Sequence, residues 1–129
     1  MDPTVSSIMQ TALHSISMDD SLTRVRSILD LHRLSSLPVL DTDGTPLGIV
    51  TRYDLAQHEL RGKSLDSTKV WEICSYKPIA VRPSTSLSEA AEVMLQHHIH
   101  HVLVMEESSL RGIVSSLDFL RLFLASPRT

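Results

Sequence analysis

Cysteine is almost absent from this 129-residue chain, with Cys74 as its single occurrence. One thiol cannot form an internal disulfide or a thiolate metal cage, so we expect a reducing, cytoplasmic setting. The N-terminus lacks the tripartite pattern of a secretory signal. No stretch approaches the roughly 18 consecutive apolar residues of a membrane-spanning helix. The sequence therefore predicts a cytoplasmic protein with no membrane partner.

Long runs of one charge are also missing. Twelve basic and fifteen acidic residues give a formal net charge of −3, which argues against a nucleic-acid binder with a broad basic face. The four glycines form no phosphate-binding loop, and no acid/base pair or activated nucleophile is recognisable. We therefore expect a binding protein rather than an enzyme.

An internal repeat organises the chain. A shift of about 65 positions aligns Val5 with Val70, and Gly48-Ile49-Val50-Thr51 falls on Gly112-Ile113-Val114-Ser115. An ordered series of matches with a single deletion in a turn is not expected by chance. The sequence thus predicts one repeat over residues 1–64 and a second over residues 65–129.

Each repeat has the pattern of a helix, a strand, a turn, a second strand and a second helix. In the first copy Leu22, Val25 and Leu29 share one helical face, and residues 37–40 and 47–51 have the apolar, β-branched character of strands. We predict an α/β fold in which each repeat has a small three-stranded sheet and two helices. Because such a unit covers itself poorly, the repeats should pack about a pseudo-two-fold axis.

The ordered motifs resemble those of a known family. The segments 32–41 (HRLSSLPVLD) and 48–55 (GIVTRYDL) recur as 97–105 (HHIHHVLVM) and 112–120 (GIVSSLDFL). This succession resembles a tandem cystathionine-β-synthase (CBS) domain pair, also called a Bateman module. The resemblance implies a regulatory, non-catalytic module that needs no cofactor. It also implies that AMP, ADP, ATP or S-adenosylmethionine binds in the cleft between the repeats and that binding signals to a partner protein.

Two matching segments carry the candidate chemistry, Thr51 to Asp54 and Ser115 to Asp118. Each lies where a strand leads into a helix, so free backbone N–H groups and the helix dipole favour an anion there. The same pattern is explained equally by a capping box, which needs no ligand. The CBS resemblance implies that the aspartate holds a ribose and that the hydroxyl residue approaches the phosphates.

The resemblance also implies which further residues surround the ligand. Each site would take its hydroxyl and carboxylate from one repeat and its adenine walls from the other. Arg52, directly after Thr51, would either reach a phosphate in the Thr51 site or lie at a solvated helix start. One site would combine Ser115, Asp118, His101 and Ile113 with Leu34, Ser35 and the region of His14. Its counterpart would combine Thr51, Asp54, Ser36 and Ile49 with Ile99, His100 and Ile79.

Histidine is the residue in surplus, with seven in the chain and four of them between His97 and His101. His97 aligns with His32 and is expected on a helix face, whereas His100 and His101 fall at the ligand-facing place. In related CBS proteins a His-Arg pair contacts phosphate there, and His101 replaces the arginine. A neutral imidazole carries no full charge, and its protonation near a pH of about 6.5 would make that contact pH-dependent. The alternative is a histidine-based metal sensor.

The last predicted helix, residues 116–124, is too apolar for a free surface and too short to span a membrane. Because CBS pairs commonly associate through such helices, we expect a homodimer. Since almost no residues lie outside the repeats, the effector is expected to be a separate protein. A ligand-free interaction module, in which both Thr/Ser-x-x-Asp segments are only caps, is the main alternative.

Overall fold

A computed structural model describes residues 2–126 of the chain. Within these residues, one compact unit comprises residues 14–78 and a second comprises residues 2–13 and 79–126. We call them the first unit and the second unit. Each contains two α-helices, a short 3-10 helix and a three-stranded sheet, which confirms the predicted α/β class and repeat architecture.

The first unit places its helices α1 (Leu22–His32) and α2 (Arg52–Leu60) with the strands β1 (Ser36–Leu40), β2 (Pro46–Thr51) and β3 (Ser75–Tyr76). The strands pair antiparallel in the order β1-β2-β3. Apolar side chains from one face of α1 and from the strands form a core that is closed to solvent. Its fully buried members include Leu22, Val25, Leu29, Leu37, Val39, Val50 and Val70.

The second unit repeats this arrangement. Its elements are β4 (Ala80–Val81), α3 (Leu87–His97), β5 (His101–Glu106), β6 (Ser109–Ser115) and α4 (Ser116–Ala125). β5 pairs parallel with β4 and antiparallel with β6, and Gln10 adds an antiparallel bridge to Ile113 at the outer edge of β6. The core of this unit includes Val5, Leu87, Ala90, Met94, Val102, Val104 and Val114.

The opening segment of each repeat belongs to the unit that contains the other repeat's main elements. Val5 is fully buried in the core of the second unit, and its amide donates to the Thr85 carbonyl (2.9 Å). Val70 is fully buried in the core of the first unit. The sequence repeats and the packing units therefore differ at these segments. The repeat boundaries 1–64 and 65–129 stay a prediction, and the periodicity on which they rest does not indicate which core a short segment joins.

Serine hydroxyls cap the starts of α1 and α3. The Ser21 hydroxyl accepts from the Arg24 amide at the start of α1 (3.2 Å), and the Ser86 hydroxyl accepts from the Glu89 amide at the start of α3 (3.1 Å). Such N-caps satisfy amides that have no partner within the helix. Within residues 2–126, no helix has the length and apolar character that crossing a membrane requires.

α1 and α3 both end on a residue in the left-handed region. Arg33 has φ 55° and ψ 47°, and His98 has φ 53° and ψ 44°. Glycine is the usual residue at this position, because a Cβ is strained there. The repeat therefore preserves the backbone conformation while using residues that do not favour it.

Candidate functional site

The first candidate segment forms the junction between β2 and α2. Thr51 has an extended backbone and its hydroxyl accepts from the Asp54 amide at 3.1 Å. In return, Asp54 Oδ2 accepts from the Thr51 amide at 2.9 Å. This is a complete capping box, so the local geometry stands without a ligand.

The Asp54 carboxylate is only partly shielded from solvent. Burial raises the pKa of this carboxyl above its ordinary value, and the hydrogen bonds from Thr51 oppose the rise. Within the described part of the chain, Thr51 is the residue that donates to this carboxylate. A carboxylate offers about four lone-pair sites, so Asp54 retains capacity for further donors.

Arg52, the first residue of α2, is held along the end of α1. Its Nε donates to the Leu34 carbonyl at 2.8 Å, and its Nη1 lies 2.7 Å from Asp30 Oδ1. The Arg52 amide donates to the Ser35 carbonyl at 3.0 Å. Arg52 thus contacts Leu34 and Ser35, which the sequence assigned to the Asp118 site, and Asp30 engages its guanidinium. Its predicted contact with phosphate stays a prediction and would compete with this ion pair.

The second candidate segment forms the junction between β6 and α4, and its aspartate is far more enclosed. Asp118 is 5% exposed. Its Oδ2 accepts from the amide (2.8 Å) and the hydroxyl (3.2 Å) of Ser115. Its Oδ1 accepts from Gln10 Nε2 at 3.0 Å and from Arg121 Nη1 at 3.1 Å. Four donors therefore surround this carboxylate.

His101 lies beside this junction because it is the register partner of Ser115 in the β5–β6 pair. Burial, reinforced by the charge of His100, lowers the pKa of the His101 imidazole below its ordinary value, and the Asp118 carboxylate opposes that change. A neutral His101 at pH 7 is a single hydrogen-bond donor rather than a cation. His100 is exposed, and its Nδ1 lies 3.4 Å from the Ser116 hydroxyl.

Four other histidines lie outside the two candidate segments. His14 stacks on His32, with 3.6 Å between ring centroids and 16° between ring planes. His97 ends α3, and His98 is its C-cap. Within residues 2–126, no group of three or more His, Cys, Asp or Glu side chains is placed to hold a metal ion.

The predicted site residues divide between the two units, and their combination across the repeats stays a prediction. Those in the second unit are Ile79, Ile99, His100, His101, Ile113, Ser115 and Asp118. Those in the first unit are His14, Leu34, Ser35, Ser36, Ile49, Thr51, Arg52 and Asp54.

The sequence patterns did not predict two contacts at Asp118, those of Gln10 and Arg121. Gln10 lies 108 positions from Asp118 in the chain, and no local pattern indicates that separation. Arg121 follows Asp118 by three positions, which places both on one helix face. This three-residue spacing on a predicted helix could have indicated the ion pair between Arg121 and Asp118.

The sequence matches the family model of the CBS domain twice, over residues 5–61 and 70–125. The protein MJ1404 of Methanocaldococcus jannaschii is 29% identical over 133 residues, covering 93% of this chain and 32% of that protein. The CBS domain-containing protein YhcV of Bacillus subtilis is 26% identical over 114 residues, covering 88% of this chain and 81% of that protein. This chain thus spans about a third of the length of MJ1404 and most of YhcV.

A solved structure shares the fold described above. It is the CBS domain pair of protein MJ0100 in complex with 5′-methylthioadenosine and S-adenosyl-L-methionine. The TM-score is 0.87 at 26% identity, and the match covers 95% of this chain and 97% of that chain.

Proposed function

This chain belongs to the CBS domain family, and from that premise we propose that it is a cytoplasmic regulatory module that binds an adenosine-containing ligand. Binding would act by shifting a conformational equilibrium, which requires the ligand to prefer one state of the protein over another. An effector protein would respond to that shift. The proposal assigns the chain a sensing role rather than catalysis.

The observation that carries the proposal is the Asp54 carboxylate at the start of α2. It is partly buried and hydrogen-bonded to Thr51, and it retains acceptor capacity. One carboxylate can accept hydrogen bonds from both adjacent hydroxyls of a ribose at the same time. The complex of the MJ0100 domain pair supports the same ligand class, because both of its ligands contain an adenosine moiety.

The two predicted phosphate contacts, Arg52 and His101, offer little positive charge to a polyphosphate. Arg52 is ion-paired with Asp30, and His101 has a lowered pKa. A ligand with several phosphates would therefore find little compensation for its charge at these two residues. We favour AMP or an uncharged adenosyl group over ATP.

Thermal unfolding with adenosine, AMP, ATP and S-adenosylmethionine tests the proposal, with guanosine as the control ligand. A ligand at 100 times its Kd stabilises the folded state by about 2.7 kcal/mol, which a melting curve resolves. Asp54→Asn should greatly reduce the shift, because an amide presents only one acceptor atom to the ribose diol. Asp19→Asn alters an exposed carboxylate elsewhere and should leave the shift intact. If none of the four ligands stabilises the protein at millimolar concentration, the proposed function is refuted.

We also propose that α4 forms the contact of a homodimer. Leu120, Phe123 and Leu124 are 57%, 61% and 64% exposed on this helix, and monomeric proteins rarely expose a large contiguous apolar patch. The position in α2 that matches Phe123 is Glu59, which is ion-paired with Arg26. At this position the first repeat has a polar side chain where the second has an apolar one, whereas Leu124 is matched by Leu60, which is also exposed.

Sedimentation analysis tests this association. Leu120→Glu should lower the apparent mass, whereas Ala56→Glu, at the matching exposed position of α2, should not. A monomeric wild type at micromolar concentration, or equal effects of the two substitutions, would contradict a dimer through α4.

A further inference from the structure

The carboxylate of Asp118 has no acceptor capacity left. Ser115 donates twice to Oδ2, and Gln10 and Arg121 each donate to Oδ1. These four donors match the roughly four lone-pair sites of a carboxylate. A ribose diol would have to displace two of them before it could bind.

Gln10 is fixed in this position by its backbone. Its amide donates to the Ile113 carbonyl at 2.8 Å, and its carbonyl accepts from the Ile113 amide at 3.1 Å. These paired bonds attach the opening segment to the edge of β6 and carry the Gln10 amide side chain to Asp118. The side chain is therefore held in place before any ligand arrives.

The first unit has neither of these donors at the matching positions. Ser75 matches Gln10 in the repeat and has the same antiparallel partner position, opposite Ile49, but its side chain is two atoms shorter. Gln57 takes the place of Arg121. Within residues 2–126, neither side chain is hydrogen-bonded to Asp54, whose carboxylate accepts from Thr51.

We infer that Gln10 and Arg121 are specificity-determining residues that close the Asp118 half to ligand, so that each chain binds one adenosine-containing ligand, at Asp54. This inference rests on the proposed function and adds its stoichiometry and its location. Asp118 then serves to join the opening segment to the start of α4.

Isothermal titration with each ligand that stabilises the wild type tests the inference. We expect a stoichiometry of one per chain for the wild type and at least a 50-fold loss of affinity in Asp54→Asn. Adding Gln10→Ala and Arg121→Ala to Asp54→Asn should restore binding of one ligand per chain, now at Asp118. Both removed side chains are exposed, so the fold should persist, as far-ultraviolet circular dichroism will verify.

The matched control adds Ser75→Ala and Gln57→Ala to Asp54→Asn, which changes the corresponding positions of the first unit and should restore nothing. Two ligands per wild-type chain would overturn the inference, as would a folded Gln10/Arg121/Asp54 variant that does not bind. Either result leaves the proposed function standing, because the wild type still binds. Failure of the wild type to bind any of the ligands refutes the proposed function itself.

Discussion

Replacing the two matching aspartates by alanine should have unequal effects on stability. Asp118→Ala removes an acceptor shared by four donors at a site that is 5% exposed. Hydrogen bonds to charged groups contribute about 1.5–3 kcal/mol each when buried, and a donor left unpaired costs about 1–3 kcal/mol. Since Gln10 and Arg121 regain water, we count mainly the two Ser115 bonds. The expected loss is about 3 kcal/mol.

Asp54→Ala should cost less. Its carboxylate accepts from the Thr51 amide, and burial raises the pKa of the Asp54 carboxyl, so the charged form pays a desolvation cost at pH 7. Removing the side chain loses the Thr51 bond but also relieves that cost. We expect a net loss of about 1 kcal/mol in the free energy of unfolding.

Urea unfolding at pH 7, followed by circular dichroism, measures both differences at constant protein concentration. A double-mutant cycle between Gln10→Ala and Asp118→Ala adds a direct test, with an expected coupling of about 1 kcal/mol. If Asp54→Ala destabilises the protein as much as Asp118→Ala, the number of hydrogen-bond donors at each carboxylate does not set its contribution to stability, and the reasoning is refuted.

Three further predictions concern other parts of the chain. His98→Gly should stabilise the protein by about 0.5–1 kcal/mol in thermal unfolding, because glycine suits the left-handed C-cap of α3. His97→Gly, at the last residue of that helix, should instead destabilise the protein. Because the pKa of His101 is lowered from 6.5 in the folded protein, its contribution to stability should decline as pH falls below about 6.5, where the unfolded state binds the proton more tightly; urea unfolding at pH 7.5 and 5.5 should show this decline reduced in His101→Gln. Val5→Ala should cost about 1–3 kcal/mol despite its place near the N-terminus, because the side chain is fully buried, and exposed Ser6→Ala should change the free energy of unfolding little.

The sequence by itself determined the repeat, the element order and the helix starts. Apolar periodicity predicted α1 and the strand pairs, and Ser21 and Ser86 occupy the N-cap positions that serine favours. These features depend on interactions between residues a few positions apart, and such interactions are visible as local patterns. The CBS motifs likewise identified the family from contiguous segments.

Only the tertiary structure decided which core each opening segment joins and what surrounds each aspartate. Val5 and Val70 have equivalent places in the repeat, and nothing in their neighbours reveals that each packs with the elements of the other copy. Gln10 reaches Asp118 across 108 positions, through a bridge to the edge of β6. The Thr/Ser-x-x-Asp pattern is the same in both repeats, but acceptor capacity depends on donors brought by the fold. For that reason the pattern predicted two equivalent half-sites, and the contacts distinguish an enclosed Asp118 from an accessible Asp54.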